Sequence, residues 1–139
     1  MNLELAQALL NQAKDRIQQQ FGRPACISVC DAYGFQIGFI RMDGAPVRSI
    51  ALSRQKAYTC ARMGVTTEAF LARLRREDVP ASYFCDEGLT ALPGGAVVAD
   101  AHGTLIGGVG ISGLAPAEDQ AIADALASFA AQYLSEHAG

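Results

Sequence analysis

Apolar positions along the chain alternate between a helical and a strand spacing. In residues 3–21, Ala6, Leu9, Leu10, Ala13, Ile17 and Phe21 recur at helical intervals, with Lys14, Asp15, Arg16, Gln18, Gln19 and Gln20 between them. That spacing predicts an amphipathic helix, stopped by Gly22 and Pro24. Residues 25–31 carry Cys26, Ile27, Val29 and Cys30, and residues 35–41 carry Phe35, Ile37, Phe39 and Ile40. They read as a hairpin turning at Asp31-Ala32-Tyr33-Gly34. Gly44 and Pro46 then lead into a helix over 47–63, whose expected apolar face is Val47, Ile50, Ala51, Ala57, Tyr58 and Ala61. After Gly64, Thr66 or Thr67 caps a short helix to about residue 76. Residues 77–92 hold a short strand or irregular loop around 83–85. Residues 94–113 give a second hairpin about Asp100-Ala101-His102-Gly103, with Val97, Val98, Leu105, Ile106, Val109 and Ile111 as strand formers. The closing helix, 116–137, has an apolar stripe of Ile122, Leu126, Phe129, Tyr133 and Leu134, and carboxylates Glu118 and Asp119 in its first turn complement its dipole.

The two hairpins look like copies. One fixed shift superimposes Asp31 on Asp100, Gly34 on Gly103, Gly38 on Gly107 and Gly44 on Gly113. An internal repeat of hairpin, glycine-bearing loop and helix is expected, forming one sheet from two related halves. The element order predicts a single α+β domain over residues 1–139, with about five antiparallel strands flanked by helices.

Composition narrows the class. The 139 residues are 50% hydrophobic and only 18% charged, with a formal net charge of −3. No apolar run is long enough to span a bilayer, so no membrane segment is expected. Scattered basic residues give no nucleic-acid footprint. An apolar, alanine-rich domain with so few charges is expected to cover surface by forming a homo-oligomer. Residues 1–14 lack the features of a secretory signal. The cysteines Cys26, Cys30, Cys60 and Cys85 have no zinc-type spacing, and a reducing, cytoplasmic setting is expected.

Chemistry concentrates at two loops. The glycines of 107–113 precede a helix whose acidic first turn repels phosphate, so they read as packing and turn residues. Around the first loop, Arg41 and Arg48 flank a helix start without acidic residues, and Lys56 lies two turns further on. Together with Asp43 they form a candidate carboxylate pocket, since arginine offers a bidentate fork. The competing reading is a set of structural ion pairs with Asp43, Glu118 or Asp119. Tyr33, Tyr58, Tyr83, Met42, His102 and the thiols are side chains of the types that ligate haem iron. No metal site is expected from the cysteine and histidine spacing, and His102 reads as a turn residue.

Val29-Cys30-Asp31-Ala32-Tyr33-Gly34 resembles the VVDAxG element of the GlcG/HbpS-like haem-binding family, which includes the PduO C-terminal domain. Arg41-Met42-Asp43-Gly44-Ala45 resembles its RMDGA, and Lys56-Ala57-Tyr58-Thr59 its KAxT. Pro93-Gly94-Gly95, Gly110-Ile111-Ser112-Gly113 and Glu118-Asp119 resemble its PGG, GVSG and acidic elements, in the family's order. The resemblance implies a profilin-like antiparallel sheet flanked by helices, usually in a homo-oligomer. It adds Gly94, Gly95, Ser112 and Gly113 to Arg41, Asp43, Arg48 and Lys56 as ligand-binding candidates.

Two functions follow as expectations. The first is a small-molecule-binding protein for haem or a similar flat, anionic ligand, with Arg41, Arg48 and Lys56 meeting its carboxylates. The second is a cofactor-free lyase on an aromatic carboxylate such as hydroxylaminobenzoate, the reaction one relative resembles. There Glu118 or Asp119 would be catalytic, moving a proton if burial raises its pKa. In either case Arg41 and Asp43 are expected to face Glu118 and Asp119 near Lys56.

Overall fold

The computed structural model describes residues 1–137. The elements run α1 (Leu3–Gln20), β1 (Cys26–Asp31), β2 (Gln36–Arg41), α2 (Arg48–Met63), α3 (Thr67–Glu77), β3 (Gly95–Ala99), β4 (Leu105–Ser112) and α4 (Pro116–Glu136), with a short 3-10 turn at Ala81–Phe84 between α3 and β3. The four strands form one antiparallel sheet in the order β2-β1-β4-β3. Alternation along the strands splits the sheet into two faces. Ile27, Val29, Val98, Val109 and Ile111 point toward α1 and α4, where they join Leu5, Leu9, Ile17, Ile122 and Leu126 in the main apolar core. Helix α2 covers the other face.

The fold is α+β as expected, with four strands in place of about five. The stretch around 83–85 curls instead of extending. Pro80 precedes it, Cys85 ends it with a positive φ of 54°, and the Phe84 ring meets Phe70 edge-on at 5.4 Å. The expected face of α2 is right only in part: Ala57 and Ala61 are buried as expected, but the buried side is rotated away from Val47 and Ala51. Its buried side chains are Ser49, Ser53, Lys56, Ala57, Thr59, Cys60 and Ala61, whereas Val47 is 72% exposed and Ala51 lies open to solvent. The reason is the strand beneath. A Cβ placed on Gly108 or Gly110 would overlap the backbone oxygens of Ala57 and Ser53, and one on Gly95 would come within 2.7 Å of the Lys56 oxygen and the Cys60 sulfur. Helix backbone therefore rests on glycine, and only small or polar side chains fit the seam.

The repeat survives locally and fails globally. Asp31 Oδ1 accepts the backbone N–H groups of Tyr33 and Phe35, and Asp100 Oδ1 accepts those of His102 and Thr104. Both turns close through a positive-φ glycine, Gly34 and Gly103, and both hairpins carry a register shift just before the turn. The shift that aligns the sequences maps β1, an inner strand, onto β3, an edge strand. The sheet is therefore not two equivalent halves.

Candidate functional site

The residues singled out from the sequence divide between a sealed cluster and an exposed loop. Lys56 and Asp119 meet inside the protein, each side chain only 3% exposed. Lys56 Nζ donates to the Ile111 carbonyl at 2.7 Å and to Asp119 Oδ2 at 3.2 Å, while Asp119 Oδ1 accepts the Leu114 N–H at 3.1 Å. Burial pushes the Lys56 amine below its ordinary pKa and lifts the Asp119 carboxyl to about 6, each opposed by the charge of its partner. Gly94 has φ of +134°, and a Cβ there would lie 2.7 Å from Lys56 Nζ. Gln120 ties the same loop down, accepting the Gly94 N–H at 2.7 Å and donating to the Gly95 carbonyl at 2.9 Å. Ser112 Oγ donates to Ser49 Oγ in the buried seam, and Gly113 backs onto Ala25.

Arg41, Asp43 and Arg48 are exposed. Arg41 does not bond Glu118 or Asp119. Its Nη2 donates to the Ala45 carbonyl at 3.2 Å, which pins the loop entering α2. Glu118 is taken instead by Arg23, at 2.6 Å, and accepts the Ala115 N–H at 3.0 Å, so its carboxyl sits below the usual range. The two glycine loops do approach one end of the sheet: Cβ atoms on Gly44 and Gly113 would both contact the segment at Pro24 and Ala25. There Arg41 and Asp43 line a shallow cleft of about 440 Å³ with Lys14, Gln18 and Arg23. Asp119 is thus sealed from solvent, while Glu118, with its side chain 29% exposed, is ion-paired to Arg23 and bonded to the Ala115 N–H.

The cavity best suited to a ligand lies elsewhere, between the outer side of α2 and the β1–β2 hairpin. It measures about 470 Å³, within the roughly 300–1,000 Å³ usual for small-molecule sites. Ser28, Val29 and Cys30 form its floor, Phe35 and Gln36 one wall, and Ala51, Arg54, Gln55 and Tyr58 the other. Sheet order explains the opening. α2 packs over β4, β1 and β3, and leaves the same face of edge strand β2 uncovered. Register puts Phe39 and Arg41 on that uncovered face, opposite Ser28 and Cys26. Three- and four-residue spacing puts Arg48 and Arg54 on the α2 side that carries Ala51 and Tyr58. Arg54 lines the groove; Arg41, which lines the cleft at the end of the sheet, and Arg48, at the start of α2, are exposed outside its lining.

Tyr58 is clamped at the far end. Cβ atoms on Gly34 and Gly88 would each come within 2.6 Å of its ring, from opposite edges. The Arg62 guanidinium sits 4.8 Å above the ring, and Arg62 Nε donates to the Tyr33 carbonyl. The Tyr58 hydroxyl donates to both Asp86 oxygens, at 2.8 and 3.0 Å, and this raises its pKa. Arg54, Gln55, Ser28 and Phe35 were not sequence candidates. The signal that could have found Arg54 and Gln55 is the outward stripe Arg48-Ala51-Arg54-Gln55-Tyr58, once the glycine-lined strand is allowed to claim the small side of the helix; Ser28 and Phe35 carry no such signal.

Among the described residues, no helix is long and apolar enough to cross a membrane, and no group of three or more His, Cys, Asp or Glu side chains is placed to hold a metal ion. Cys26, Cys30 and Cys60 are buried free thiols, and Cys85 is an exposed one.

Comparison with known proteins gives three kinds of result. A family model described as haem degrading protein HbpS-like matches residues 1–128. The crystal structure of a PduOC:haem complex is 27% identical, covers 92% of this chain and 93% of that one, and superposes with a TM-score of 0.81. A double mutant of Streptomyces reticuli HbpS is 26% identical over 93% of this chain and 86% of that one, with a TM-score of 0.83. Klebsiella pneumoniae protein ORFY, at 22% identity, 92% and 88% coverage and a TM-score of 0.83, shares the fold. No curated protein matches.

Proposed function

The chain belongs to the HbpS-like family of haem-degrading proteins, and on that footing we propose that it is a binding protein for haem or a similar flat, anionic ring. The groove between α2 and the β1–β2 hairpin is the proposed site. The observation that carries this reading is the composition of the cavity: aromatic walls from Phe35 and Tyr58 with Ala51 between them, over the buried Ser28–Cys30 segment, and Arg54 in the lining. Ring faces gain from burial against such side chains, and ring carboxylates gain from charge-assisted contacts with guanidinium groups. Arg48, exposed at the start of α2, and Arg41, in the cleft at the end of the sheet, lie outside that lining and belong to this reading only as cations on the same side of the sheet. Lys56 does not, because its ammonium is spent on Ile111 and Asp119. The lining fits the ring and its carboxylates, and it does not fit an iron atom; no step is assigned to iron. The lyase alternative finds no support in the comparisons.

Ala51 is exposed in the groove, so Ala51→Trp fills it without touching the core. Titration with haem, followed by Soret absorption, is expected to show saturable binding that Ala51→Trp abolishes and that Arg54→Ala weakens about tenfold, equivalent to one charge-assisted contact of ~1.5 kcal/mol. Unchanged binding in both variants, with unchanged unfolding midpoints, would remove the groove as the site.

A further inference from the structure

Haem iron is held in proteins by His, Cys, Met or Tyr side chains. Of these types the groove lining contains two, Cys30 and Tyr58. Neither is presented to a ligand. Cys30 is 3% exposed and packs under α2 with Ala57 and Ala61. Burial pushes its thiol to about 12, so it stays protonated and is a poor iron donor. The Tyr58 oxygen faces the two oxygens of Asp86, which hold its proton; a phenolate there would stand against a carboxylate at 2.8 Å. Its ring cannot turn away, because Gly34, Gly88 and Arg62 confine it.

The remaining donors lie outside the lining; Tyr33, 71% exposed in the β1–β2 turn beside Gly34 and Phe35, is the one that adjoins it. His102 is in the β3–β4 turn, on the edge of the sheet opposite β2, and the His137 ring stacks on Tyr133 at 4.0 Å at the end of α4. Met42 lines the cleft at the end of the sheet, and the Met1 side chain lies against Gly107. What the groove does present is the aromatic side chains Phe35 and Tyr58 and the Arg54 guanidinium. We propose that it selects a tetrapyrrole by ring face and carboxylates and is indifferent to the central metal, so that metal-free porphyrin is as good a ligand as haem. This rests on the groove being the binding site.

The test is parallel titration of the full chain with haem, zinc protoporphyrin, metal-free protoporphyrin IX and the dimethyl ester of the last, by Soret absorption and, for the three iron-free porphyrins, by emission. The first three are expected to bind within about threefold of one another, the ester at least tenfold more weakly, and Arg54→Ala to weaken the first three alike. Haem binding tenfold or more tighter than metal-free porphyrin would overturn the inference and leave the haem-binding reading standing. So would an ester that binds as well as the free acid. Failure of all four to bind would overturn the function reading itself, and this inference with it.

Discussion

Replacing Lys56 by Met removes one partner of a sealed ion pair and keeps the side-chain volume. The variant loses the 2.7 Å bond to Ile111 and the 3.2 Å bond to Asp119, leaving a carboxylate that is 3% exposed with only the Leu114 N–H as partner. Breaking a buried pair from one side costs roughly 3–5 kcal/mol. A domain of this size holds on the order of 5–15 kcal/mol in all, so the loss is a large fraction of its stability. Asp119→Asn removes the other charge and strands the ammonium, at a similar cost. The double variant buries no uncompensated charge. Its remaining defect is chiefly the Ile111 carbonyl without its ammonium, about 1–3 kcal/mol. The two single losses therefore should not add: with single losses of roughly 3–5 kcal/mol each and a double-variant loss of roughly 1–3 kcal/mol, the coupling should be roughly 3–9 kcal/mol in favour of the double variant. Urea unfolding followed by far-ultraviolet circular dichroism at pH 7 measures all four proteins, and suits a chain that contains no tryptophan. Single losses below about 1 kcal/mol, or additivity within about 0.5 kcal/mol, would refute the picture of a sealed, mutually dependent pair.

Three further outcomes are expected. Asp119 holds its proton more tightly when folded, up to about 6, than the ordinary 3.8 of the open chain, so its contribution is fully present below pH 3.8 and is lost as pH rises to 6; urea midpoints of the native chain relative to Asp119→Asn should fall between pH 4 and pH 6, and a flat difference would contradict the raised carboxyl. Gly34→Ala should cost about 1–3 kcal/mol, because φ is +94° and the new Cβ would meet the Tyr58 ring at 2.6 Å, and its unfolding midpoint checks this. Tyr33 and Phe35 are 71% and 66% exposed beside edge strand β2; light scattering at micromolar concentration should report a homo-oligomer, and a Tyr33→Lys, Phe35→Lys variant should shift it toward monomer.

The hairpins were legible because their chemistry is local. One aspartate oxygen accepts two backbone N–H groups of its own turn and one glycine supplies the positive φ, all within five residues. Strand order was not legible in the same way. Identical turns at 31–34 and 100–103 say nothing of which strand of each hairpin lies inside the sheet, and the β1–β4 pairing that decides it joins residues about eighty positions apart. Lys56 stood out from the sequence as an ammonium in a helix with a cost of burial, but the chain offers 14 carboxylates, and only the packed fold selects Asp119. Arg41 and Glu118 show the converse. Each had a chemically reasonable partner in the other, and each is satisfied elsewhere, Arg41 by the Ala45 carbonyl four residues on, and Glu118 by the nearby Ala115 N–H and by Arg23 from the far end of the chain.

The groove was hidden by a rule that ordinarily works. Apolar periodicity assigns a helix its buried side on the assumption that the surface beneath has side chains of its own. β4 offers Gly108 and Gly110 to α2, so the distance between helix and sheet is set by backbone contact, and bulky residues are excluded from the seam. Ser49, Ser53, Ala57 and Cys60 fill it, and two of its polar groups satisfy each other across the layers, Ser28 with Ser53 at 2.9 Å. The larger side chains Arg54 and Tyr58, with Ala51 beside them, then point over the β1–β2 hairpin. The four-stranded sheet leaves that hairpin's outer strand bare on this side. Glycines that look like mere turn and packing residues in the sequence thus create the cavity, by forcing α2 to bury its small side and to turn its aromatic and cationic side toward a ligand.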